Sequence, residues 1–484
     1  MINTLLLFPI VAGILMLIVR KRVFDNLLLN IYAILHFVIT LFLTFGKNPD
    51  FVQNSIPYFA VDNTNKIFLL VLSFVFLMVT IYNNGYSKHL PSFGVKVKDK
   101  KICLYWFMLM TFVWAMTGTI LSTDLGAAWV FVEATTLSSA YLIFFNRTKS
   151  AIEAAWKYVF ICSIGIALAF VGIIFLNIST GSINSLNYAV LYKHAAEFDP
   201  AWLKLAFVFM AFGFGAKMGL APIHFWLPDA HSEAPSPISA LLSATLLNSA
   251  FLVVVRVFKI MTLSGNDSYA RIILLLMGFL SLFVTAVFVY HIKNYKRMLA
   301  YSSIENMGIL AIGTALGGAA YYAVILHLIG HSLAKGSFFL TSGNILELFD
   351  TKRIKSVNGL VKADGKTGWL WIVSFLAICA FPTSVLFISE FLMIKTMIVQ
   401  KHYILCILFA LLLTIVLFGI GRVVVKMAFG EESKDKEKLV EENKSKVTIS
   451  MYIPQIIMLL IVFTLGVYVP PILNRVITAA VAGF

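Results

Sequence analysis

Cysteine is scarce in this sequence. The chain of 484 residues has four, and no two of them have CxxC spacing: Cys103, Cys162, Cys379 and Cys406. Isolated cysteines argue against an iron-sulfur cluster, a thiolate-bound nickel ion and a framework of disulfide bonds. We therefore expect that this chain itself binds no redox cofactor or metal.

Charged residues are also few, at 13% of the chain, while 60% of the residues are hydrophobic. A soluble core of this length does not need so much apolar surface, and runs of about 20 apolar residues match the thickness of a bilayer. The longest polar stretch, 431–446, mixes both signs of charge, which is typical of a solvated loop. The sequence predicts an all-α polytopic membrane protein without a soluble domain.

The apolar runs predict about fourteen transmembrane helices. We place them near residues 2–19, 27–45, 63–83, 103–121, 125–145, 154–177, 201–221, 236–260, 270–291, 297–317, 320–347, 368–396, 402–428 and 450–470.

Basic residues follow the odd-numbered spans. They are Arg20, Lys21, Arg22, Lys96, Lys98, Lys100, Lys101, Arg147, Lys149, Lys293, Lys296, Arg297, Lys352, Arg353, Lys355, Lys434, Lys436 and Lys438. Loops rich in lysine and arginine stay in the cytoplasm, so both termini are expected outside. This distribution accounts for the net charge of +15, and no nucleic-acid partner is expected.

Two spans carry helix-breaking residues at corresponding positions. The seventh has Gly213, Gly215 and Pro222, followed by Pro228, and the twelfth has Pro382. Paired broken helices are typical of inverted repeats around a central site. We therefore expect two inverted five-helix repeats, each with a broken helix. The expected units are helices 1–3 (residues 1–102), the first repeat (103–262), the second repeat (263–428), and a cytoplasmic loop with the C-terminal helix (429–484).

A glutamate and a lysine lie deep in apolar spans. Glu133 is in the fifth span with no basic residue in that segment, and Lys217 is in the seventh. Ionisable residues at this depth usually serve ion paths, and a charge there is stabilised by an opposite charge from another helix. The pair predicts a proton site that switches when the carboxylate moves. The alternative is a static ion pair that holds two helices together.

Three titratable residues recur every four positions in the eleventh span. His327, His331 and Lys335 therefore share one helix face. Histidine titrates near neutral pH, and both of its ring nitrogens can take part in proton transfer. The stripe predicts a proton relay; a metal site and simply packed histidines are the alternatives.

Glu390 follows the break of the twelfth span and is the predicted terminal acid of the path. Lys395 is interpreted as an anchor at the membrane edge.

In the sixth span, Glu153 and Lys157 are four residues apart near the cytoplasmic end. Lys157 either tunes Glu133 or Lys217, or forms a surface ion pair.

Four polar residues surround the prolines after the seventh span: His224, Asp229, His231 and Glu233. We expect them on irregular backbone near the outer face. They form either an exit mouth for protons or caps for the broken helix and the next helix. A zinc site is less favoured, because the spacing is not that of a helical HxxxH pair.

Several motifs together resemble a known family. KMGLAPIHFWLPDAHSEAPSPISALLSA, KRMLAYSSIENMGI, the HxxxHxxxK run and FISEF are similar to the antiporter-like subunits of respiratory complex I, Mrp antiporters and energy-converting membrane-bound hydrogenases. The resemblance covers about residues 100–425. It implies fourteen helices, a Glu133–Lys217 pair, titratable residues across the midplane, and Glu390 as the terminal acid.

Three segments look most like the hydrogenase branch: SEAPSPISALLS, WVFVEATTLSSAYL around Glu133, and AYSSIENMG with Glu305. Where complex I subunits usually carry a lysine in the eighth span, this chain has Asn248, which cannot carry protons. Either the link from Lys217 towards His327 uses water, His331, Lys335 or Glu305, or the channel is altered. The resemblance also implies an inner position in the assembly.

The resemblance implies a non-catalytic, proton- or Na⁺-translocating subunit in a prokaryotic plasma membrane. The expected partners are other antiporter-like and small membrane subunits, and a hydrophilic arm whose subunits hold iron-sulfur clusters and a Ni-Fe centre. The alternatives are a redox-independent Mrp-type antiporter subunit, a complex I subunit, a structural subunit without ion transport, and a stand-alone metal enzyme using His224 or His231.

Overall fold

The computed structural model describes residues 1–46, 52–53, 57–88, 99–431 and 434–484. Two of the basic residues used to predict topology, Lys96 and Lys98, lie outside the described residues. Apart from a two-stranded antiparallel ribbon, β1 (Val52–Gln53) with β2 (Ala60–Val61), the described chain is built from helices and their connections. The prediction of an all-α membrane protein is confirmed.

The helices follow one another with short connections. The first eight are α1 (Ile2–Val19), α2 (Arg22–Phe45), α3 (Asn63–Tyr86), α4 (Asp99–Leu121), α5 (Leu125–Ile143), α6 (Lys149–Ser179), α7 (Tyr188–His194) and α8 (Pro200–Met218). The next six are α9 (Trp226–Glu233), α10 (Ser236–Leu241), α11 (Leu247–Leu263), α12 (Asp267–Phe288), α13 (Tyr295–Leu316) and α14 (Ala320–Phe349). The last seven are α15 (Leu360–Ala363), α16 (Gly365–Ile378), α17 (Val385–Val399), α18 (Tyr403–Phe429), α19 (Lys434–Asn443), α20 (Ile453–Val467) and α21 (Pro471–Val481).

Eleven helices of the described chain are long and apolar enough to cross a membrane. The remaining predicted spans fall on α5, on α13, and on the pair formed by α16 and α17. The count of about fourteen therefore stays a prediction. Helices α11 and α14 are buried along their whole apolar length, whereas α1, α6 and α18 present most of theirs to the surroundings. The titratable stripe of α14 consequently lies in the interior of the bundle.

The first helix break comes later than the glycines suggested. Gly213 and Gly215 lie inside α8, which ends at Gly219, a residue with φ of 83°. Gly213 faces α6, where an added Cβ would come within 2.6 Å of the Gly165 carbonyl oxygen. Small residues at this crossing let the two backbones approach closely. Gly213 thus packs helices together, and Gly219 and Pro222 interrupt the seventh span.

The second break separates α16 from α17. The chain leaves α16 at Cys379, and Ala380 and Thr383 have positive φ values of 52° and 82° on either side of Pro382. Helix α17 then starts anew, because the Ser384 side chain accepts a hydrogen bond from the Phe387 backbone N–H. A third irregularity, which the sequence did not reveal, is the π-helical turn Leu242–Leu246 between α10 and α11.

The prediction that His224, Asp229, His231 and Glu233 lie on irregular backbone near the outer face conflicts with the structure, because Asp229, His231 and Glu233 belong to helix α9 and this helix meets cations that the topology prediction assigns to the cytoplasm. Asp229 forms ion pairs with Lys157 (3.2 Å) and Arg297 (2.6 Å), and Glu233 pairs with Lys352 (3.1 Å). These cations belong to the face that carries the basic connections, which we call the basic face (connections 144–149, 289–297 and 350–359). The physical reason is electrostatic, because the carboxylates of α9 form ion pairs with the ammonium and guanidinium groups on this face.

An ion pair on the opposite side ties α3 to α11. The Asp62 carboxylate caps α3 by accepting the Asn65 N–H at 2.8 Å, and it accepts a 2.6 Å hydrogen bond from Arg256. Burial by itself would raise the pKa of Asp62, but the Arg256 guanidinium and backbone N–H groups hold this pKa below its ordinary value. The charged pair therefore stabilises the fold at neutral pH.

Replacing Asp62 with asparagine is expected to lower the free energy of unfolding by about 3 kcal/mol, because one charge of a mostly buried pair is left without its partner. Thermal unfolding in detergent at pH 7 measures this loss. Since the folded-state pKa is depressed, the difference between wild type and variant should shrink as the pH falls below about 4. Asp267→Asn, which removes a more exposed pair with Arg271, is the matched control. Equal losses for both variants would contradict this prediction.

Candidate functional site

The Glu133 carboxylate and the Lys217 ammonium are joined through a threonine. The Thr136 hydroxyl donates to Glu133 Oε2 at 3.0 Å and accepts from Lys217 Nζ at 2.9 Å. Ser163 adds a longer hydrogen bond of 3.4 Å to the same carboxylate. The two charges are thus separated by a single hydroxyl, so a small movement of α5 against α8 would make or break their connection.

Local sequence places both groups. Asp124 caps the start of α5 by accepting the Ala127 N–H, and Glu133 lies about two turns further along. Lys217 lies in the last turn of α8, just before the chain turns at Gly219. The Trp226 indole donates to the Ala216 carbonyl at 2.8 Å, and the same carbonyl accepts the Gly219 N–H at 3.2 Å where the helix ends.

Lys217 has a second polar neighbour that sequence reasoning missed. Its ammonium donates to the Tyr158 hydroxyl at 2.6 Å, and Tyr158 is hydrogen-bonded to Ser139 at 2.6 Å. Lys217 and Tyr158 are completely buried, whereas Glu133 is partly exposed on a side of α5 where Leu137 is 65% exposed. The carboxylate therefore lies between the interior and the rim of the bundle. In the sequence, the only signal for Tyr158 is its place beside Lys157.

The second buried lysine lies on α14. Lys335 is fully buried, donates to the Leu299 carbonyl at 2.8 Å, and is close enough to Glu305 to interact electrostatically. No salt bridge within 4 Å joins these two described side chains. Ser302 precedes Glu305 by one turn of α13 and donates to it at 3.4 Å. The second half of the bundle thus has its own buried amine and acid.

Asn248 contacts α14 between the two lysines. Its amide donates to Ser332 at 2.7 Å and to the Ala244 carbonyl at 2.8 Å. The neighbouring residue His331 is completely buried, and neither of its ring nitrogens is hydrogen-bonded to a described residue. Asn248 therefore holds Ser332, the residue that follows His331 on α14.

His327 connects α14 to both neighbouring helices. Nε2 lies 3.1 Å from Asn306 Oδ1, and Nδ1 lies 2.9 Å from the Ser389 hydroxyl. The Asn306 amide nitrogen donates to the Ser302 carbonyl, so its oxygen faces His327 and Nε2 must carry the hydrogen. Asn306 and Ser389 were not predicted from the sequence.

Glu390 follows Ser389 on α17 and is close enough to Glu305 for electrostatic interaction. It is partly exposed, as Glu133 is, so the two carboxylates lie towards the rim and the lysines lie inside. Lys395 is exposed, which suits a residue at the membrane edge. The predicted residues therefore fall into two groups. Glu133 and Lys217 are joined through Thr136, and the second group, around α14, is formed by His327, His331, Lys335, Glu305 and Glu390.

Four of the predicted accessory residues, Glu153, Lys157, Asp229 and Glu233, form ion pairs at the basic face. Lys157 pairs with Glu153 at 2.6 Å as well as with Asp229, and in the described structure it forms no salt bridge with Glu133. His231 is buried and stacked on Phe339, with ring centroids 4.7 Å apart. Within the described ranges, no group of three or more histidine, cysteine, aspartate or glutamate side chains is placed to hold a metal ion.

Lys296 is a further buried lysine. The sequence placed it among the loop residues that determine topology, but it is completely buried in the first turn of α13 and donates to the Ala234 carbonyl at 2.5 Å. Its neighbours in sequence, Lys293 and Arg297, gave no reason to separate it from them. Only the packing of α13 against α9 and α10 shows the difference.

Broken helices and buried lysines linked to partly exposed carboxylates define an antiporter-like membrane subunit. The sequence matches, over residues 122–418, the family described as "NADH:quinone oxidoreductase/Mrp antiporter, TM". The chain belongs to this family, and the resemblance inferred from the motifs is confirmed.

Curated relatives include hydrogenase components. The chain is 33% identical over 477 residues to the "Hydrogenase-4 component F homolog" of Methylacidiphilum infernorum, with 96% of each chain covered. It is 27% identical to "Hydrogenase-4 component B" of Escherichia coli, over 74% of this chain and 53% of that one. It is 23% identical to one of the Na(+)/H(+) antiporter subunits of Bacillus subtilis, over 78% of this chain and 74% of that one.

Solved structures share the fold. A chain of the archaeal membrane-bound sulfane sulfur reductase superposes with a TM-score of 0.88 at 22% identity, with 100% of this chain and 97% of that chain covered. A chain of the Mrp complex from Dietzia sp. superposes with a TM-score of 0.84 at 15% identity, with the same coverage. Both come from multisubunit membrane complexes.

Proposed function

We propose that this chain translocates protons as a membrane subunit of an energy-converting hydrogenase, driven by electron transfer in its partner subunits. The single observation that carries this proposal is the Glu133–Thr136–Lys217 bridge, which holds a buried amine one hydroxyl away from a carboxylate near the rim. Near-complete coverage of a hydrogenase component homolog supports the choice of complex.

The bridge suggests how coupling works. While Glu133 stays close, its negative charge stabilises the ammonium form of Lys217, which burial by itself disfavours. When movement in a neighbouring subunit pulls the carboxylate away, the ammonium loses this interaction and gives up a proton. His331 and Lys335 are the proposed next acceptors of this proton, and Glu390 is the proposed terminal acid. The proposed path therefore runs from Glu133 to Glu390.

The geometry favours protons over sodium. A sodium site at Glu133 would use the oxygens of Thr135, Thr136 and Ser138, and Thr136 is the one of these three hydroxyls that is hydrogen-bonded to the carboxylate in the described structure. The Thr136 oxygen already binds the Lys217 ammonium. A cation of the protein thus occupies the place that a sodium ion would take.

The proposed assembly follows from the relatives. We assign the iron-sulfur clusters and the Ni-Fe centre to hydrophilic partner subunits, and the lateral contacts to other antiporter-like and small membrane subunits. The units 103–262 and 263–428 are proposed as inverted repeats, each containing one of the observed helix breaks. We place the basic face in the cytoplasm and both termini outside, in a prokaryotic plasma membrane.

The proposal is tested with Glu133→Gln in the assembled complex, reconstituted into proteoliposomes. Proton translocation per hydrogen turned over is expected to fall about tenfold or more, because the amide cannot release or recover the charge that controls Lys217. Glu197→Gln, which changes an exposed glutamate paired with His194, is the matched control.

The same proteoliposomes distinguish the alternatives. Proton translocation by wild type should persist without sodium. Loss of transport in sodium-free buffer would favour a cation antiporter, and an unchanged proton yield in Glu133→Gln, with normal assembly, would favour a structural subunit.

A further inference from the structure

Helix α14 carries another buried acid beyond the predicted relay. Glu347 is only 5% exposed, and its Oε1 accepts no hydrogen bond from any described residue. It continues the four-residue spacing of the stripe through Phe339 and Gly343, and lies about 18 Å from Lys335 along the helix, since an α-helix rises about 1.5 Å per residue. A buried carboxylate with an unsatisfied oxygen is costly for the fold alone.

The surroundings of Glu347 are rich in buried hydroxyls. Tyr82, Tyr86 and Tyr295 are completely or almost completely buried, and each interacts electrostatically with the Glu347 carboxylate. Tyr82 donates to Asn344 at 3.0 Å, one turn from Glu347. On the other side, the partly exposed Lys446 also interacts electrostatically with this carboxylate, which therefore lies near the basic face.

The hydroxyl cluster extends towards Lys335. At Gly343 the backbone of α14 leaves room for the Tyr82 hydroxyl and for Ser236, both of which an added Cβ would strike. Ser236 begins α10, directly after the segment that carries His231. His231 covers Phe339, the one apolar member of the row, and both of its ring nitrogens lack a hydrogen-bond partner among the described residues. His231 also interacts electrostatically with Lys335.

We propose that Glu347 is the residue through which protons from the basic face reach Lys335, by way of the hydroxyls of Tyr82 and Ser236 and the imidazole of His231. This inference rests on the proposed function and adds the uptake route to it. It also gives a role to His231, for which the sequence allowed two alternatives, a proton exit or a helix cap.

Each transfer in this route conserves protons. A proton from solvent binds the Glu347 carboxylate; the acid then passes one to a hydroxyl, which releases its own to the next acceptor. His231 accepts at one ring nitrogen and releases from the other, so the neutral ring is restored. Lys335 receives the proton as a neutral amine and becomes an ammonium.

The experiment compares Glu347→Gln and Glu347→His in the assembled complex. Gln keeps the shape but cannot carry a proton, so proton translocation should fall about tenfold. His differs in shape but titrates, so it should restore at least about half of the transport, in keeping with its ability to exchange protons near neutral pH. Tyr82→Phe should give a smaller loss, and Tyr322→Phe, at the other end of α14, is the control. The amount of this chain in the purified complex checks assembly.

The outcomes separate this inference from the proposed function. If Glu133→Gln stops transport while Glu347→Gln does not, the uptake route is wrong and the proposed function stands. If the Glu347→Gln complex translocates protons as well as wild type, Glu347 has a structural role and the inference is overturned. The same conclusion follows if the Glu347→His complex translocates fewer protons than the Glu347→Gln complex.

Discussion

Replacing Lys217 with methionine is expected to lower proton translocation by the assembled complex about a hundredfold, because the interior loses the amine that takes and releases the proton. Methionine fills a similar volume without a charge, so the packing of α8 should survive. Lys204→Met, on the same helix but near its start, is the matched control and should transport normally. Proton uptake by inverted membrane vesicles measures the effect.

Lys217→Arg separates proton exchange from simple charge. Arginine keeps the positive charge but does not deprotonate in proteins, so transport should be lost as in the methionine variant. A static ion pair between α5 and α8 would instead tolerate arginine, at least in part. Normal transport by the arginine variant would therefore support the structural alternative and contradict the proton site.

Replacing Lys335 with methionine is expected to have an effect of the same order, about a hundredfold, since the relay loses its second buried amine. Lys335 donates only to the Leu299 carbonyl among the described residues, so its removal leaves no unpaired partner charge in direct contact. Assembly should be normal, and the measurement is proton translocation alongside electron transfer. The exposed Lys395→Met is the control.

The result for Lys335 also tests whether protons need this lysine. If protons bypass Lys335 through His331 and His327, the methionine variant will keep substantial transport. That outcome would place the crossing along the histidines and would contradict a relay that depends on the lysine.

The helical architecture was predictable because its signals are local. Apolar length predicted the long spans, and proline marked both helix breaks. Gly213 shows the limit: a glycine that breaks a helix and one that packs against α6 look alike in sequence. The π turn at Leu242–Leu246 left no signal, because it depends on how α10 and α11 pack against α14.

The site was predictable where a residue type was itself unusual. A lysine or glutamate in an apolar span is conspicuous, so Glu133, Lys217 and Lys335 could be named. Tyr158 and Asn306 could not, since hydroxyl and amide side chains are common in membrane helices and their role depends on contacts between distant segments. Lys296 was missed for the opposite reason, because a lysine beside a basic loop is expected to be exposed.

The outer-face assignment of His224, Asp229, His231 and Glu233 conflicts with the predicted topology for an electrostatic reason. Acidic residues beside prolines are typical of a solvent-exposed opening on either side of a membrane, so the pattern by itself does not identify the side. The cations Lys157, Arg297 and Lys352 that fix their side come from three separate parts of the chain. Only the folded arrangement brings these charges together.

The most direct test of the proposed proton path is the ratio of protons translocated to electrons transferred. Both quantities are measured simultaneously in proteoliposomes that contain either the wild-type complex or the double variant Lys217→Met/Lys335→Met. We predict that the double variant still transfers electrons when an uncoupler is present but moves fewer protons per electron. An unchanged ratio in a fully assembled double variant would contradict the claim that protons cross the membrane through this chain.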